Sequence, residues 1–378
     1  MTRRRFLGAT ALLGLAGATG CGADAGVPAA PAPVPVAPPS APLTSADALL
    51  GWMRANPANW TLALDDGRGT VLEHAADEAR PLASTGKVLA LAAYARAVAT
   101  GVLDPAQTMT VRDWERWYVA GTDGQGHPRA LASLKATPDG RVTWDQLAAV
   151  MIAYSDGAAP DILRDRLGDG ALVDTAAVTG WASPDLPSFG GEGLLSATDP
   201  LGWVGRDTAQ RRAAAVAELR AYAADPARRA AHVAWLERAN RDPAVLAPTL
   251  DPRFYAGTAA GTARQVAGIH RACATDGLGV PGAGPIARAH LERPLAGRLP
   301  RGVVGIGEKG GNYPGIATNA VTVRRADGAL GVCVLLISGV PEANYLELLG
   351  SAPFLEVSRR SLLSRDMRER LRAVVPTA

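Results

Sequence analysis

Ser84 and Lys87 lie three positions apart at the start of an alanine-rich stretch that runs to Thr100. On a helix this spacing places both side chains on one face. Pro81 and Ala83 precede the serine, so the pattern predicts Ser84 at the amino end of a helix, where the helix dipole stabilises a nearby anion. A serine beside a neutral amine is a nucleophile suited to acyl transfer. The competing interpretation is an N-cap serine followed by a solvated lysine.

Lysine is rare in this chain, which makes the pair informative. Of 39 basic residues only three are lysines, at positions 87, 135 and 309, and the others are arginines. Arginine cannot be deprotonated in a protein, whereas a desolvated lysine beside another cation can be neutral near pH 7. A lysine that acts as a base is therefore one that arginine cannot replace.

Two further motifs follow in order along the chain. Residues 155–157 read Ser-Asp-Gly and end an apolar helix, and residues 308–311 read Glu-Lys-Gly-Gly at the end of a predicted strand. The order Ser-x-x-Lys, Ser-Asp-x, Lys-x-Gly resembles the motif set of class A β-lactamases and penicillin-binding proteins. The resemblance covers about residues 45 to 378 and extends to the two-lobed architecture of that family.

The resemblance implies a role for each motif residue. Ser84 would be the acylated nucleophile and Lys87 its neutral-amine partner, while Ser155 would pass a proton to the leaving group. Lys309 would keep Lys87 neutral by charge repulsion and bind a substrate carboxylate. The backbone N–H groups of Ser84 and Asn312 would form the oxyanion hole.

Departures from the family pattern affect the substrate contacts. The second motif commonly ends in Asn, where this chain has Gly157, and the third commonly has Thr or Ser at the position of Gly310. We assign Gly157, Gly310 and Gly311 to the substrate-binding surface. The glycines at 157 and 310 replace polar side chains, so this surface lacks polar contacts to the amide and carboxylate of a penicillin-like substrate. Asp156 is expected to brace the helix end. The alternative is that the second motif is only a turn and Lys309 only an edge-strand charge.

The base for deacylation is the weakest point of the resemblance. Class A enzymes carry a Glu in a Glu-x-x-Leu-Asn setting after the second motif, and no such sequence appears here. Glu192 is the possible deacylation base, and Asp174 and Asp185 are other carboxylates nearby. A glycine-rich loop could present Glu192 to a water molecule, but a solvated loop charge is the preferred interpretation.

The elements that must position these residues predict a mixed α/β (α+β) domain. Their order is a helix, a hairpin of two strands, many helices, three strands and a long closing helix from about 354 to 374. We expect one antiparallel sheet flanked by the terminal helices, with an inserted all-helical lobe at about 85–300. Between Ser155 and Lys309 the chain is longer than in compact family members, and the additional residues fall at about 199–250. The site is expected between lobe and sheet.

The amino-terminal segment predicts export. Paired arginines precede a short small-residue run, as in a twin-arginine signal, and Cys21 follows in a lipobox-like setting. We assign residues 1–21 to this signal with lipidation at Cys21, residues 22–43 to a proline- and alanine-rich linker, and residues 44–378 to the hydrolase domain. The protein would be exported and anchored by lipid to the outer face of the cell membrane, or secreted after ordinary cleavage.

Composition narrows the possible partners. The formal charge of +3 is scattered over the chain and predicts no nucleic-acid surface. The five histidines are dispersed, so neither a metal nor a cofactor is expected. Cys273 and Cys333 are either free or joined in one disulfide. The chain is expected to act as a monomer.

Four functions fit these observations. Three are enzymatic, namely a β-lactamase with an unusual base, a D-alanyl peptidase acting on cell-wall peptides, and an esterase. The fourth is a sensor lipoprotein that binds a cell-wall or β-lactam ligand with little turnover. The substrate is accordingly a small molecule or a cell-wall peptide.

Overall fold

The computed structural model describes residues 35–38 and 41–376. Its main sheet has five antiparallel strands in the order β2-β1-β9-β8-β7, and two small sheets pair β3 with β6 and β4 with β5. The strands are β1 Trp60–Asp65, β2 Val71–His74, β3 Ala79–Pro81, β4 Thr108–Thr110, β5 Arg141–Thr143, β6 Ala260–Thr262, β7 Val303–Tyr313, β8 Ile316–Arg325 and β9 Leu330–Ile337.

Helices make up most of the chain between β3 and β7, and further helices at both ends of the chain cover one face of the main sheet. They are α1 Ala46–Ala55, α2 Lys87–Ala99, α3 Val111–Glu115, α4 Gly126–Leu134, α5 Trp144–Ala153, α6 Ala158–Leu167, α7 Asp169–Val178, α8 Phe189–Thr198, α9 Pro200–Gly205, α10 Thr208–Ala224, α11 Pro226–Arg241, α12 Pro243–Leu246, α13 Pro252–Ala256, α14 Ala263–Ala274, α15 Ala283–Glu292, α16 Glu342–Ser351, α17 Pro353–Leu363 and α18 Arg365–Arg372.

Strand β9 explains why the sheet has a helical layer on each side. Its residues alternate between two cores, because successive side chains of a strand point to opposite faces. Val334 and Leu336 pack in the core shared with α2 and the helical lobe, whereas Cys333 and Leu335 pack in the core shared with α1, α17 and α18. A strand buried on both faces is apolar throughout, which accounts for its unbroken hydrophobic sequence.

Helix starts follow the local sequence closely. Thr143 and Thr262 cap α5 and α14, each in a capping box with the glutamine three residues later. Ser45 caps α1 through its hydroxyl. The predicted hairpin, the antiparallel sheet, the terminal helices and the inserted helical lobe are all present, so the predicted fold class is confirmed.

Three local predictions were wrong. Residues 189–198 form α8 rather than a loop. The closing helix is broken at Ser364, whose extended backbone (φ −124°, ψ 128°) separates α17 from α18. Lys309 lies in the middle of β7 and not at a strand end, because the glycines that follow it continue to pair with β8.

The predicted linker ends earlier than residue 43. Ala37 donates its backbone N–H to Gly339 O at 2.9 Å, and Ala37 and Leu43 are both buried in the core beside α1. Burial of this apolar surface holds that part of the chain against the domain. The proposed signal, with Cys21, lies outside the described residues. Among residues 35–38 and 41–376, no helix is long and apolar enough to cross a bilayer.

The two cysteines of the domain are both free and buried. The disulfide alternative for Cys273 and Cys333 was therefore wrong. They pack in different cores, Cys273 with the helical lobe and Cys333 with the terminal helices, so the main sheet separates them.

Candidate active site

Ser84 lies in a single 3-10 turn, Ala83–Gly86, between β3 and α2. The predicted helix therefore begins three residues later than expected, at Lys87. Ala83 adopts a left-handed backbone (φ +47°), an unfavourable conformation for alanine that surrounding contacts must hold. The turn is tied to the sheet by Thr85, whose hydroxyl lies 2.7 Å from that of Thr318 on β8.

Strand β7 passes directly against this turn at Gly311. A Cβ on Gly311 would overlap the backbone nitrogens of Ser84 and Thr85. Only glycine permits so close an approach, which brings the following residue, Asn312, beside the serine. β7 is also an edge strand of the main sheet, so its outer edge is free of a neighbouring strand in the described structure.

The side chains of Lys87, Ser155 and Lys309 form one hydrogen-bonded cluster. Lys87 Nζ donates to Ser155 O at 2.6 Å and lies 3.3 Å from Ser155 Oγ. Lys309 Nζ donates to Ser155 Oγ at 3.0 Å and to Gly310 O at 2.7 Å. Residues from three distant parts of the chain thus converge on a single hydroxyl. Within the described structure, Ser84 Oγ makes no hydrogen bond to Lys87 Nζ; in unliganded sites such contacts are often long.

Ser155 is held in place by the residues that follow it. It has a left-handed backbone (φ +61°) at the junction of α5 and α6. Asp156, fully buried, accepts hydrogen bonds from Ala159 N at 2.6 Å and from Trp114 Nε1 at 3.3 Å, and its other oxygen lies 2.6 Å from His127 Nδ1. These bonds brace the start of α6, whereas we expected Asp156 to brace the end of the preceding helix.

The loop before α4 also supports Ser155. Asp123 accepts from the backbone N–H of Gly157 at 3.2 Å and from that of His127 at 2.7 Å. A Cβ on Gly157 would lie 3.2 Å from Asp123 Cβ, so the aspartate packs against the space that a side chain at 157 would enter. The sequence carried no signal for this role of Asp123, since it depends on a loop folding back over the second motif.

Burial lowers the pKa of both lysines. Lys87 is 1 % exposed, and desolvation lowers its pKa to about 8 against the opposing charges of Asp123, Asp156 and Asp161. Lys309 is 5 % exposed, and its pKa is lowered well below the usual range, first by burial and then by the charge of Lys87. An amine with a pKa near 8 is neutral in part at physiological pH and can accept a proton.

Phe189 covers Lys87 on the side of the helical lobe. Its ring centroid lies 5.0 Å from Lys87 Nζ. The backbone N–H groups of Phe189 and Gly190 donate to Asp161 at 3.1 and 2.7 Å, and burial raises the pKa of that aspartate to about 6. An apolar ring, rather than a carboxylate, thus packs against the amine here.

Glu192 is not the solvated loop charge that the sequence favoured. It is on α8, only 2 % exposed, and its carboxylate lies 3.3 Å from Arg212 Nη1 and accepts from Ala259 N at 3.3 Å. Arg212 also makes a two-pronged ion pair with Asp185, at 2.5 and 2.8 Å. Burial raises the pKa of Glu192 to about 7. The prediction failed because the long-range partner, Arg212, is supplied by α10.

The remaining predicted residues lie along β7. Gly310 contributes its carbonyl oxygen to Lys309, and a Cβ at this position would meet Leu355 of α17 at 3.1 Å. Asn312 is exposed, and its Oδ1 accepts from Tyr345 OH at 3.1 Å. Among the described residues, no group of three His, Cys, Asp or Glu side chains is arranged to hold a metal.

The sheet, the inserted lobe and this cluster define the class of protein. It has the mixed α/β, β-lactamase- and transpeptidase-like fold, with its three motifs gathered where the lobe meets the sheet. A family model described as the beta-lactamase enzyme family matches residues 46–347. The chain belongs to this family.

Several solved structures are similar to this chain, and the first of them supports the fold. A β-lactamase from Sphaerobacter thermophilus DSM 20745 is 15% identical, with a TM-score of 0.53 and coverage of 88% of this chain and 98% of that one. The class A β-lactamase of the last common ancestor of Gram-negative bacteria is 17% identical, with a TM-score of 0.49 and coverages of 83% and 99%. PBP-A is 17% identical, with a TM-score of 0.45 and coverages of 84% and 99%. No curated protein matches the sequence.

Proposed function

We propose that this protein is a serine hydrolase that forms an acyl-enzyme at Ser84 and acts on a β-lactam or a related amide or ester. The observation that carries the proposal is the convergence of both buried lysine amines on the hydroxyl of Ser155, beside the turn that holds Ser84. Nucleophilic acyl transfer requires a serine activated by a nearby base, and Lys87, a buried amine of lowered pKa, directly follows the turn that holds Ser84.

The proposed chemistry follows from the positions of these groups. Ser84 Oγ attacks the substrate carbonyl carbon while Lys87 accepts the hydroxyl proton. The backbone N–H groups of Ser84 and Asn312 stabilise the oxyanion, an effect that typically contributes about 3 kcal/mol per donor. Collapse of the intermediate breaks the bond to the leaving atom. Ser155 passes that atom a proton and recovers one from Lys87, while Lys309 binds a substrate carboxylate.

We further propose that the acyl-enzyme formed with a β-lactam is long-lived. Phe189 packs against Lys87, and Glu192 is engaged by Arg212. Asp123, Asp156 and Asp161, the described carboxylates whose charges act on Lys87, each accept hydrogen bonds from backbone N–H groups, and we assign them structural roles. This favours a penicillin-binding peptidase or an esterase over an efficient β-lactamase. The leaving group departs during acylation, so an ester acylates Ser84 more readily than an amide, whereas deacylation is the same step for every substrate with the same acyl group.

Labelling with a fluorescent penicillin and with an activated ester tests the proposal. We expect a stable penicillin adduct on Ser84, located by peptide mass spectrometry, and none in Ser84→Ala. The matched control is Ser351→Ala, which removes an exposed hydroxyl at the end of α16 and should label like the wild type. Labelling that survives in Ser84→Ala would show that the nucleophile is elsewhere.

Export and lipid attachment at Cys21 remain part of the proposal, motivated by the paired arginines and the cysteine that follows the small-residue run. Cys21→Ser should move the protein from the membrane fraction to the soluble exported fraction. An unchanged distribution between the two fractions would remove the lipid anchor from the proposal.

A further inference from the structure

A cleft of about 260 Å³ opens beside the candidate active site, and its composition is unusual for a polar reaction centre. Six aromatic side chains contribute to its wall: Phe189, Trp235, Phe254, Tyr255, Tyr313 and Tyr345. None of the described lining residues is a lysine or an arginine, and the single carboxylate among them, Glu192, is paired with Arg212. The lining therefore combines aromatic surface with neutral polar groups, among them Thr122, Ser196 and Asn312, and offers no cation to pair with a substrate carboxylate.

One end of the cleft lies beside the turn that holds Ser84, although Ser84, Lys87 and Lys309 are not among its lining residues. Asn312, which lines it, directly follows the glycine that packs against the backbone of Ser84, and Phe189 lines it while covering Lys87. Ser155, the proposed proton donor to the leaving group, does not line the cleft. Because the cleft meets the site beside Asn312, whose backbone N–H is a proposed oxyanion-hole donor, and away from Ser155, we place the acyl side of a substrate in the cleft and the leaving group toward Ser155.

The far wall is built by the inserted helices. α11 contributes His232, Trp235 and Leu236, which share one helix face because they are three and four positions apart. His232 Nε2 lies 3.0 Å from Ala120 O, and a Cβ on Gly121 would lie 3.1 Å from Leu236 Cδ1. The helix is thus packed onto the loop before α4, so the extra chain length encloses the cleft rather than extending the protein elsewhere.

Two of the three tyrosine hydroxyls in the cleft are already engaged. Tyr255 OH donates to Thr249 O at 2.6 Å, Tyr345 OH donates to Asn312 Oδ1, and the rings of Tyr255 and Tyr313 lie 5.5 Å apart. With those hydroxyls occupied, the rings are left to make apolar contacts. Burial of apolar surface contributes to the binding free energy in proportion to its area, so a bulky uncharged group should bind best in this cleft.

We propose that the cleft is the acyl-group subsite, selecting esters or amides whose acyl group is bulky, apolar and uncharged. This inference rests on the proposed acylation of Ser84 and adds the substrate class to it. Its volume suits a medium-length alkyl chain or a single aromatic ring. A substrate whose acyl chain ends in a carboxylate would have to desolvate that charge without a cationic partner.

Acylation rates with p-nitrophenyl esters of one leaving group and varied acyl groups provide the test. Going from acetate to hexanoate, kcat/KM for p-nitrophenol release should rise by about fourfold per methylene, the factor expected for burying each one. An ester of the same length whose acyl chain ends in a carboxylate should react no faster than the acetate. A preference for the carboxylate-ended chain would overturn the subsite.

A variant on α11 supplies the structural control. Leu236→Trp should fill the cleft and reduce the hexanoate-to-acetate ratio of kcat/KM by at least about 10-fold. Val233→Trp adds the same side chain to the same helix at a position that is 46% exposed and outside the cleft, so its ratio should equal that of the wild type. Equal ratios in the two variants would refute the subsite alone, provided that the acetate still acylates Ser84. Failure of every ester to acylate Ser84 in the wild type would refute the proposed function and the subsite with it.

Discussion

Replacing Lys87 by arginine keeps a positive charge at the site but removes the only proton acceptor assigned to the nucleophile. A guanidinium stays protonated at any pH at which the protein is folded. General-base catalysis typically contributes a factor of about 10² to 10⁴. We therefore expect acylation of Ser84 to slow by at least about 100-fold in Lys87→Arg, which corresponds to about 3 kcal/mol or more of lost transition-state stabilisation.

The pH dependence gives the prediction a second, independent measure. Desolvation lowers the pKa of Lys87 from 10.5 to about 8, a change of about 3 kcal/mol in favour of the neutral amine. Because the neutral form is the base, the acylation rate should rise by about tenfold per unit below pH 8 and level off above it. The arginine variant should lack this inflection.

The assay is stopped-flow or quench-flow acylation by a β-lactam, with the adduct counted by mass spectrometry between pH 6 and 10. Lys135→Arg is the matched control, since it makes the same chemical change at the exposed residue that follows α4. Its rate and pH profile should match those of the wild type. Acylation by Lys87→Arg within tenfold of the wild type, with the inflection near pH 8 retained, would show that Lys87 is not the base.

Three further predictions follow from packing and charge. Gly311→Ala should abolish acylation, because a Cβ there would push β7 away from the turn that holds Ser84, while circular dichroism should show that the protein stays folded. Gly51→Ala is the control: a Cβ at Gly51 meets nothing within 4 Å, so the acylation rate should be unchanged. Phe189→Glu should shorten the lifetime of the penicillin adduct by introducing a carboxylate beside Lys87, and an equal or longer lifetime would argue against the assigned cause of slow turnover. Arg212→Met should lower the free energy of unfolding by about 3–5 kcal/mol by leaving two buried carboxylates unpaired. The exposed ion pair lost in Arg112→Met should cost less than about 1 kcal/mol, and equal losses in denaturant titrations would contradict the buried network.

Local signals in the sequence were sufficient for most elements that carry the site. Thr143 and Thr262 predict helix starts because each completes a capping box within four residues. The apolar run of β9 predicts a buried strand because both of its faces are covered. Where the sequence misled, as at α8, the segment is rich in glycine and has low intrinsic helix propensity, and tertiary packing on α10 stabilises the helix instead.

The candidate site, like the fold, could be predicted from the sequence only in part. The scarcity of lysine and the order of three motifs are enough to single out Lys87, Ser155 and Lys309, and in the fold both amines lie within hydrogen-bond distance of the Ser155 hydroxyl. Asp123 and Phe189 could not have been found, because their contacts with the motif residues span loops whose course no local pattern records.

The sequence alone determined the family resemblance, the antiparallel sheet with its helical insertion, and the residues proposed for acylation, since each depends on residue type and short-range spacing. Only the tertiary structure decided that Glu192 is buried with Arg212, that Phe189 faces Lys87, and that α11 encloses a cleft lined by aromatic side chains. Those facts depend on which distant segments meet, and burial, ion pairing and cavity shape are properties of the packed chain rather than of any stretch of it.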